Sequence, residues 1–488
     1  MSLSSALNAA NSGLAVTSRR ADITAGNIAN ATTPGYVRRT AIIGENVLNG
    51  QGEGARFIGV GRTQDLALSR ERRDAGGSAA RADVLSRAYN DLNRELGAPD
   101  DTYGLFYAYQ NVESAIRDLA VTPESSAYQN AAYNSLNALT TQFSELQTIG
   151  NNQRINADNA IARSVRDVND SLHKIQELNL RISGLSGSGE GSASLEDERQ
   201  LLLDKISQII PIKDYPRDNG TVEIITKEGI FLLAGSVHEL EFTPAGVIPP
   251  DASYSPTGGL LSGITVDGEN LTPGTGSFAI SAGSLAGYFE VRDNVAPDFL
   301  AKLDSLAANL VTRLSGSTID PTNGASSPGI LTDAGNAVDP LNIVGISGRL
   351  RLNAAIDPNQ GGTPTRLRDG IGATTTGPAG NADILNNILD ALTSSETAPT
   401  GSGLLGNQTS TELAAGFSSF IGEARVYADA LAASTNSRAV TLSDLELSKS
   451  AVDTDTELQS LMLIEQAYAA NARVIQTVGE MLDILMQL

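Results

Sequence analysis

The strongest constraint in this sequence is a regular series of large apolar residues at its C-terminal end. Between Thr454 and Leu488 they recur in alternating steps of three and four, with Asn471 as the polar member of the series. They are Leu461, Ile464, Tyr468, Ile475, Val478, Leu482 and Leu485. This spacing predicts a helix with a heptad seam. A large aliphatic side chain contributes roughly 1.5 to 3 kcal/mol when fully buried, so the helix requires a packing partner.

Two partners fit this helix: the core of a globular domain, or a helix from the other end of the chain. Residues 3–30 predict a helix with a weaker stripe, formed by Leu3, Leu7, Ala10, Leu14 and Ile28. Residues 1–90 have a net charge of +4, and residues 451–488 have a net charge of −5. These opposite charges favour docking of the two ends. Exposed ion pairs contribute only about 0 to 1 kcal/mol each, so apolar burial must dominate.

The N-terminal helix is predicted to end at a corner formed by residues 32–36. Pro34 pushes the residue before it out of the helical conformation, and Gly35 completes a Pro-Gly turn. Beyond the corner, the Gly-rich break at 50–54 and the alternating run at 55–60 predict β-hairpins.

The middle of the chain alternates between helical and strand-like patterns. Residues 79–210 are predicted to form long helices, which include a second heptad series from Ile161 to Ile182 with Asn179 in its seam. The short apolar runs at 221–225 and 229–233 predict a hairpin. The later segments are short strands and exposed loops at 244–283, helix at 284–314, a loop-rich region at 315–380 with strand candidates at 341–346 and 349–352, and helices at 382–392 and 412–448.

The predicted fold is mainly α with a β-rich outer part. It is discontinuous and multidomain, because the chain goes out and returns with its two ends side by side. The terminal helices pair as a coiled coil, a long helical bundle forms a rod, and small β-rich regions are inserted. The predicted domains are 1–75 with 450–488 as the terminal core, 76–210 with 284–314 and 381–449 as the helical rod, and 211–283 and 315–380 as the β-rich outer regions.

Composition excludes several classes of function. The 488 residues are 41% apolar, enough for packed cores, and their net charge of −22 repels nucleic acid and anionic membrane. A basic cluster at Arg70, Arg72 and Arg73 is therefore predicted to complement an acidic partner surface. The absence of Cys excludes disulfides, zinc-thiolate sites and thiol catalysis. No signal-peptide pattern and no run of ~18 apolar residues occurs, so we expect neither signal cleavage nor membrane insertion.

No motif in the sequence predicts catalysis, a metal or a cofactor. His173 lies inside the second heptad series and His238 follows a strand candidate, and neither belongs to a catalytic or metal-binding motif. Asp453, Asp455 and Glu457 lack the Gly and the distant Glu of a calcium loop. We therefore predict that these acidic residues favour a helix N-terminus.

The corner after the N-terminal helix carries a family resemblance. Residues Asn27 to Tyr36, NIANATTPGY, resemble the N-terminal signature of the axial proteins of the bacterial flagellum. Gly26 and Thr32 depart from the usual form of this signature, whereas the Pro-Gly-Tyr corner is intact. Rod, hook and junction proteins share the signature, so it does not choose among them.

Four further segments are similar to the family of flagellar hook-associated protein 1, which forms the junction ring next to the hook. They are 118–123, 168–182, 195–199 and 292–307. Tyr128 stands where an Arg is expected in this family, so any ion pair of that side chain should be absent here. The resemblance extends over residues 1–310 and the C-terminal helices, while the loop-rich regions match only loosely.

This resemblance implies a non-enzymatic structural subunit without a cofactor, located extracellularly on the flagellum between hook and filament. The implied partners are further copies in a ring, the hook protein, the next junction protein and the flagellar type III export apparatus, with an export chaperone as a further candidate. Two alternatives stay open: another axial protein of the hook or distal rod, and an exported hydrolase or adhesin on axial-protein ends. The implied assembly interface is Leu3, Leu7, Leu14, Asn27, Ile28, Asn30, Pro34, Gly35, Tyr36, Leu461, Ile464, Tyr468, Ile475, Val478, Leu482 and Leu485.

Overall fold

A computed structural model describes residues 3–48, 51–98, 101–185, 191–255, 259–273, 279–324 and 326–487. The fold is mainly α and multidomain, with small sheets inserted between long helices, as the sequence predicts. Across these ranges, none of the helices has the length and apolar character needed to cross a membrane.

The helices are α1 (Leu3–Ala29), α2 (Leu66–Leu96), α3 (Leu105–Val121), α4 (Ser126–Leu185), α5 (Ala193–Ile209), α6 (Gly283–Glu290), α7 (Ala296–Arg313), α8 (Ile346–Arg349), α9 (Arg366–Asp369), α10 (Asp383–Thr393), α11 (Ser410–Ser450) and α12 (Thr454–Gln487). The strands are β1 (Arg39–Leu48), β2 (Gln51–Arg62), β3 (Ile212–Pro216), β4 (Val222–Thr226), β5 (Phe231–Ala234), β6 (Ser236–Val237), β7 (Leu240–Glu241), β8 (Ile264–Val266), β9 (Glu269–Pro273), β10 (Ala279–Ile280), β11 (Leu331–Asp333), β12 (Leu350–Leu352), β13 (Glu396–Thr397) and β14 (Asn407–Gln408). Strands β3 to β6 and β7 to β10 form two four-stranded sheets, and the remaining strands pair in twos.

The two ends of the chain form one unit, which we call the terminal unit: α1, the β1–β2 hairpin and α12. α1 packs against both α12 and the hairpin. The hairpin is antiparallel, with register shifts after Ile42 and after Glu45. The predicted terminal helices and hairpin are confirmed, while Gly50 of the predicted Gly-rich break lies outside the described residues.

The helices α2 to α7, α10 and α11 form the body that we call the rod. α2 and α11 run antiparallel, because Glu446 near the end of α11 contacts Ser69 and Arg72 near the start of α2. Asp429, in the middle of α11, accepts a hydrogen bond from Ser86 at 2.6 Å. The predicted helices of the middle and late chain are confirmed, and α4 alone spans 60 residues.

The second half of α4 positions the first small sheet. The heptad residues Ile161 and Ile175 are completely buried, and the polar seam residue Asn179 is 8% exposed. The Asn179 amide donates to the Val222 carbonyl at 2.9 Å, and its oxygen accepts from the Val222 N–H at 3.1 Å. This side chain therefore fixes the residue at which β4 begins. The predicted hairpin is confirmed as β4 and β5.

The loop after Pro244 differs from the prediction of an exposed loop. Ile248 and Ala252 are buried at 4% and 5% exposure. The guanidinium of Arg154, itself 1% exposed, donates to the carbonyls of Pro249 at 3.2 Å and of Ala252. A buried cation needs such partners, and here the loop backbone supplies them. The loop is therefore part of the packed structure.

One strand prediction is wrong. Residues 341–346 lead into α8 instead of forming a strand, because Gly345 adopts a left-handed φ of 76°. The N–H groups of Gly345 and Ser347 donate to the buried Asp304 carboxylate at 2.7 and 3.0 Å. The predicted strand at 349–352 exists as β12, and its partner β11 is missed by the sequence analysis.

The start of the first rod helix also differs from the prediction. α2 begins at Leu66, upstream of the predicted start at 79, because the Asp65 carboxylate caps it by accepting from the Leu68 N–H at 3.1 Å. Gly77 lies within this helix, where a Cβ atom would come 2.9 Å from the Ser207 carbonyl oxygen. The glycine allows α2 and α5 to approach closely.

The basic cluster on α2 contacts acidic residues of the same chain. Arg73 is 3% exposed and pairs with Asp204 and Asp214, each at 2.8 Å. Arg72 pairs with Asp204 at 2.7 Å and with Glu446. The prediction of an acidic partner surface is therefore corrected, because these arginines join α2 to α5, β3 and α11 within one molecule.

Candidate assembly interface

The C-terminal helix buries a narrow stripe against α1. Ile464 and Val478 are 3% and 5% exposed, and Leu461 and Ile475 are half-buried beside them. A single neighbouring helix covers only one side of α12, so part of its apolar surface stays uncovered. The other members of the predicted series are exposed: Tyr468, Leu482 and Leu485.

On the α1 side of this contact, the predicted Ala10 and the unpredicted Val16 are buried more fully than the predicted leucines. Leu3, Leu7 and Leu14 are half-buried, whereas Ala10 and Val16 are 4% and 6% exposed. A search for large residues at heptad spacing misses Val16. The signal that could have found it is the excess of small residues in α1, which indicates a close approach between helices.

Small residues let α1 approach its neighbours. A Cβ atom at Gly13 would lie 2.9 Å from the side-chain amide of Asn471. Another at Gly54 in β2 would lie 2.9 Å from the Cα of Ala9. The polar member of the C-terminal series therefore occupies the space that Gly13 leaves open on α1.

Asn27 joins the end of α1 to the start of the hairpin. Asn27 is 1% exposed, and its side-chain amide donates to the Arg39 carbonyl at 2.9 Å. Its oxygen accepts from the Arg39 N–H at 3.0 Å and from the Tyr36 hydroxyl at 2.9 Å. Burial raises the pKa of Tyr36 above its usual value, and the Arg39 guanidinium lies 4.6 Å from the ring centroid. The structure thus brings two predicted signature residues together.

The other signature residues shape the corner. Ile28 is half-buried, and the Asn30 amide donates to a carbonyl one turn earlier at 2.9 Å, which closes the helix end. Pro34 and Gly35 are exposed. Gly35 has a φ of 78°, and a Cβ atom there would lie 2.8 Å from the Leu201 side chain. Both the backbone and the neighbour therefore require glycine at this position.

The start of α12 is fixed by acidic residues. The Asp453 carboxylate accepts from the Asp455 N–H at 3.1 Å and from the Thr456 hydroxyl at 2.6 Å. The Thr456 hydrogen bond is the main cause that lowers the pKa of Asp453. The Glu457 side chain is 2% exposed and lies 2.6 Å from the Arg38 Nε. The predicted role at a helix N-terminus is confirmed, and the buried Arg38 pair is an addition that the sequence analysis misses.

Apolar residues on several sides of α12 are uncovered within the described chain. Contiguous apolar patches on soluble proteins mark interaction sites when they exceed a few hundred Å². A surface of this kind offers packing area to a protein partner. Its exposed residues are Leu458, Met462, Leu463, Tyr468, Val474, Met481, Leu482, Ile484, Leu485 and Met486.

Both histidines contact a carboxylate near the second small sheet. His173 Nε2 on α4 lies 2.6 Å from Glu239 Oε1, and His238 Nδ1 lies 2.5 Å from Asp267 Oδ2. Among the residues that the structure describes, no three His, Asp or Glu side chains gather where a metal ion would bind. The His173 pair attaches the sheet to α4.

Three family models match parts of the chain. Residues 89–316 match the flagellar hook-associated protein FlgK helical domain. Residues 446–488 match the flagellar basal body rod FlgEFG protein C-terminal model, and residues 7–36 match the flagella basal body rod protein model. The first match covers most of the rod up to α7, and the other two fall on α12 and α1.

Curated relatives match over nearly the whole chain. Flagellar hook-associated protein 1 of Bacillus subtilis (strain 168) is 24% identical over 497 residues, covering 94% of this chain and 93% of the relative. The protein of the same name from Escherichia coli (strain K12) is 25% identical over 562 residues, covering 100% of both. The solved flagellar hook junction protein FlgK from Burkholderia pseudomallei is 18% identical with a TM-score of 0.44, covering 54% of this chain and 46% of that chain.

Proposed function

Because the chain belongs to the family of flagellar hook-associated protein 1, we propose that it is a structural subunit of the bacterial flagellum that forms the junction ring between hook and filament. The observation that carries this proposal is the exposed apolar surface of α12, which α1 covers only in part. Such a face gains its burial energy only against neighbouring protein. Copies related by rotation around a ring supply that neighbour to every subunit.

We assign the predicted interface residues to two roles. The half-buried residues of α1 and the exposed residues of α12 pack against neighbouring copies, in a core where the terminal helices form coiled coils. Asn27, Gly35 and Tyr36 act from inside the subunit, because they hold the corner that directs α1 and the hairpin. The predicted division into terminal core, rod and outer regions fits this arrangement. The terminal core, residues 1–75 and 450–488, then lies at the tube wall.

Family membership implies association with other axial components of the flagellum and a location on the flagellum. The specific partners that we propose are further copies of the chain, the hook protein on one side and the next junction protein on the other. Export unfolded through the type III apparatus, without signal cleavage and with an export chaperone as a candidate helper, would deliver the subunit. The relatives are flagellar structural proteins, and we propose that this chain likewise has no catalytic activity.

The test is the position of the protein on isolated flagella. A labelled antibody against the folded rod should mark one band at the boundary of hook and filament. Label along the whole hook or at the distal rod would favour another axial protein instead. A mutant that lacks the chain should export filament subunits into the medium rather than assemble them.

A further inference from the structure

We infer that a small cluster of ion pairs latches the terminal unit to the rod and sets the angle between them. This latch consists of Arg39 and Arg62 at the base of the hairpin, and of Glu196 and Asp197 at the start of α5. The inference concerns the shape of the single subunit and does not depend on the proposed function.

Asp197 is the centre of the latch. Its Oδ1 lies 2.9 Å from Arg62 Nε and 2.7 Å from Arg62 Nη2, and its Oδ2 lies 3.2 Å from Arg39 Nη2. Glu196 Oε2 lies 3.3 Å from Arg62 Nη1. The side chains of Arg62 and Asp197 are each 10% exposed, so water screens their attraction less than that of a surface pair. Within the described residues, every ion pair from the hairpin to the rod belongs to this cluster.

The apolar cores of the rod do not extend into the terminal unit. The three apolar cores of the described chain contain no residue of α1, β1, β2 or α12. The chain crosses between the terminal unit and the rod twice, at residues 63–65 and 451–453. These crossings lie side by side, because Lys449 Nζ contacts Asp65 Oδ2 at 3.0 Å. Two adjacent crossings form a hinge, which leaves the angle free unless a third contact holds it.

At the corner, the Leu201 side chain lies against Gly35, and the Arg38 N–H donates to the Ser450 carbonyl at 2.9 Å. The latch adds a contact between the hairpin and the start of α5. An open cavity separates α5 from the end of α11 at the corner, with Pro34, Leu201 and Leu447 in its walls. Leu201 and Leu447 are 46% and 56% exposed, so apolar packing at the corner is only partial. The start of α5 holds Arg39 and Arg62 outside this cavity. Ionic contacts therefore define the angle where apolar burial is only partial.

The experiment uses the full chain, which has no native Cys to interfere with labelling. Spin labels at Ser18→Cys in α1 and Ser78→Cys in α2 report the distance between terminal unit and rod. Labels at Ser78→Cys and Asn159→Cys in α4 report the rod alone. All three positions are exposed.

Asp197→Asn should broaden the distance distribution between terminal unit and rod while the rod distance keeps its width. Arg39→Gln should broaden it less, because Arg39 makes one contact to Asp197. The matched control is Asp167→Asn, which removes the same charge from an exposed pair with Lys205 at 2.9 Å and should change neither distribution.

Two results would overturn the inference. An unchanged distribution between terminal unit and rod in Asp197→Asn would mean that the ion pairs do not set the angle. Broadening of the rod distance in the same variant would mean that Asp197 supports the rod core instead of a latch.

Discussion

Replacement of Asn27 by Ala tests whether one buried side chain holds the signature corner. In the native chain, this side chain makes three hydrogen bonds, at 2.9, 3.0 and 2.9 Å, to the Arg39 carbonyl, the Arg39 N–H and the Tyr36 hydroxyl. Asn27→Ala removes all three while leaving the helix propensity of the position high. The partners stay inside the corner, where Asn27 itself is 1% exposed.

The cost follows from the groups that lose their partner. Each buried polar group left unpaired costs about 1 to 3 kcal/mol, and water that enters the vacated space offsets part of this. We therefore expect local opening of the corner and hairpin to become easier by about 3 kcal/mol, which corresponds to a roughly 100-fold larger opening constant. The rod should keep its stability, because its apolar cores contain no residue of the hairpin.

Hydrogen exchange of the purified subunit measures this opening. Amides of β1 and β2 should exchange faster in Asn27→Ala, whereas those of α3 and α4 should not change. Asn179→Ala is the matched control, since Asn179 makes the same pair of bonds to Val222 in the rod. It should accelerate exchange in β4 and leave the hairpin unchanged. If the hairpin amides exchanged equally slowly in Asn27→Ala and in the native chain, Asn27 would not hold the corner.

Four further predictions follow from the same structure. Val478→Asp places a carboxylate in the stripe buried against α1 and should abolish incorporation into flagella. Glu480→Gln, at an exposed site of the same helix, should be incorporated normally. An immunoblot compares the secreted and the flagellum-bound protein. Arg38→Ala removes the cation beside the buried Glu457 carboxylate and should destabilise the start of α12 by about 1 to 3 kcal/mol, as seen in its hydrogen exchange. The pKa of Asp453 is lowered in the native chain, so its ionised form stabilises the start of α12. This contribution is present above the ordinary pKa of 3.8 and is lost as the pH falls through the lower native pKa. The helicity difference between the native chain and an Asp453→Asn variant should therefore shrink on acidification. Limited proteolysis of the dilute subunit should trim the terminal unit and spare the rod, and equal resistance of both would contradict the separation of their cores.

The periodicity of apolar residues could be read from the sequence because spacing along a helix is a local property. A helix that packs along one side needs apolar residues every three or four positions, so α4 and α12 are visible in the spacing of Ile161 to Ile182 and of Leu461 to Leu485. The corner at Pro34 and Gly35 is visible for the same reason, since turn chemistry depends on adjacent residues. The resemblance to flagellar axial proteins also rests on these local runs.

The hydrogen-bond and ion-pair partners of the buried polar side chains could be identified only from the tertiary structure. Asn27 and Asn179 bind residues 12 and 43 positions away, and Asp197 meets Arg62 across 135 positions. A hydrogen bond depends on distances of a few tenths of an ångström, and no spacing rule carries such precision between separate segments. For this reason the sequence assigned the arginines of α2 to an external partner, although Asp204 and Asp214 lie beside them.

The exposure of residues along the predicted heptad seam of α12 also depends on the tertiary structure. The spacing of α12 determines which residues share a side, but the number of neighbouring helices decides how many of them are covered. In the single chain α1 covers Ile464 and Val478 and leaves Leu482 and Leu485 exposed. The sequence by itself therefore determined that α12 is a helix with an apolar face. Only the packing of the folded chain decided which part of that face stays exposed, because burial depends on the geometry of surfaces that are distant in sequence.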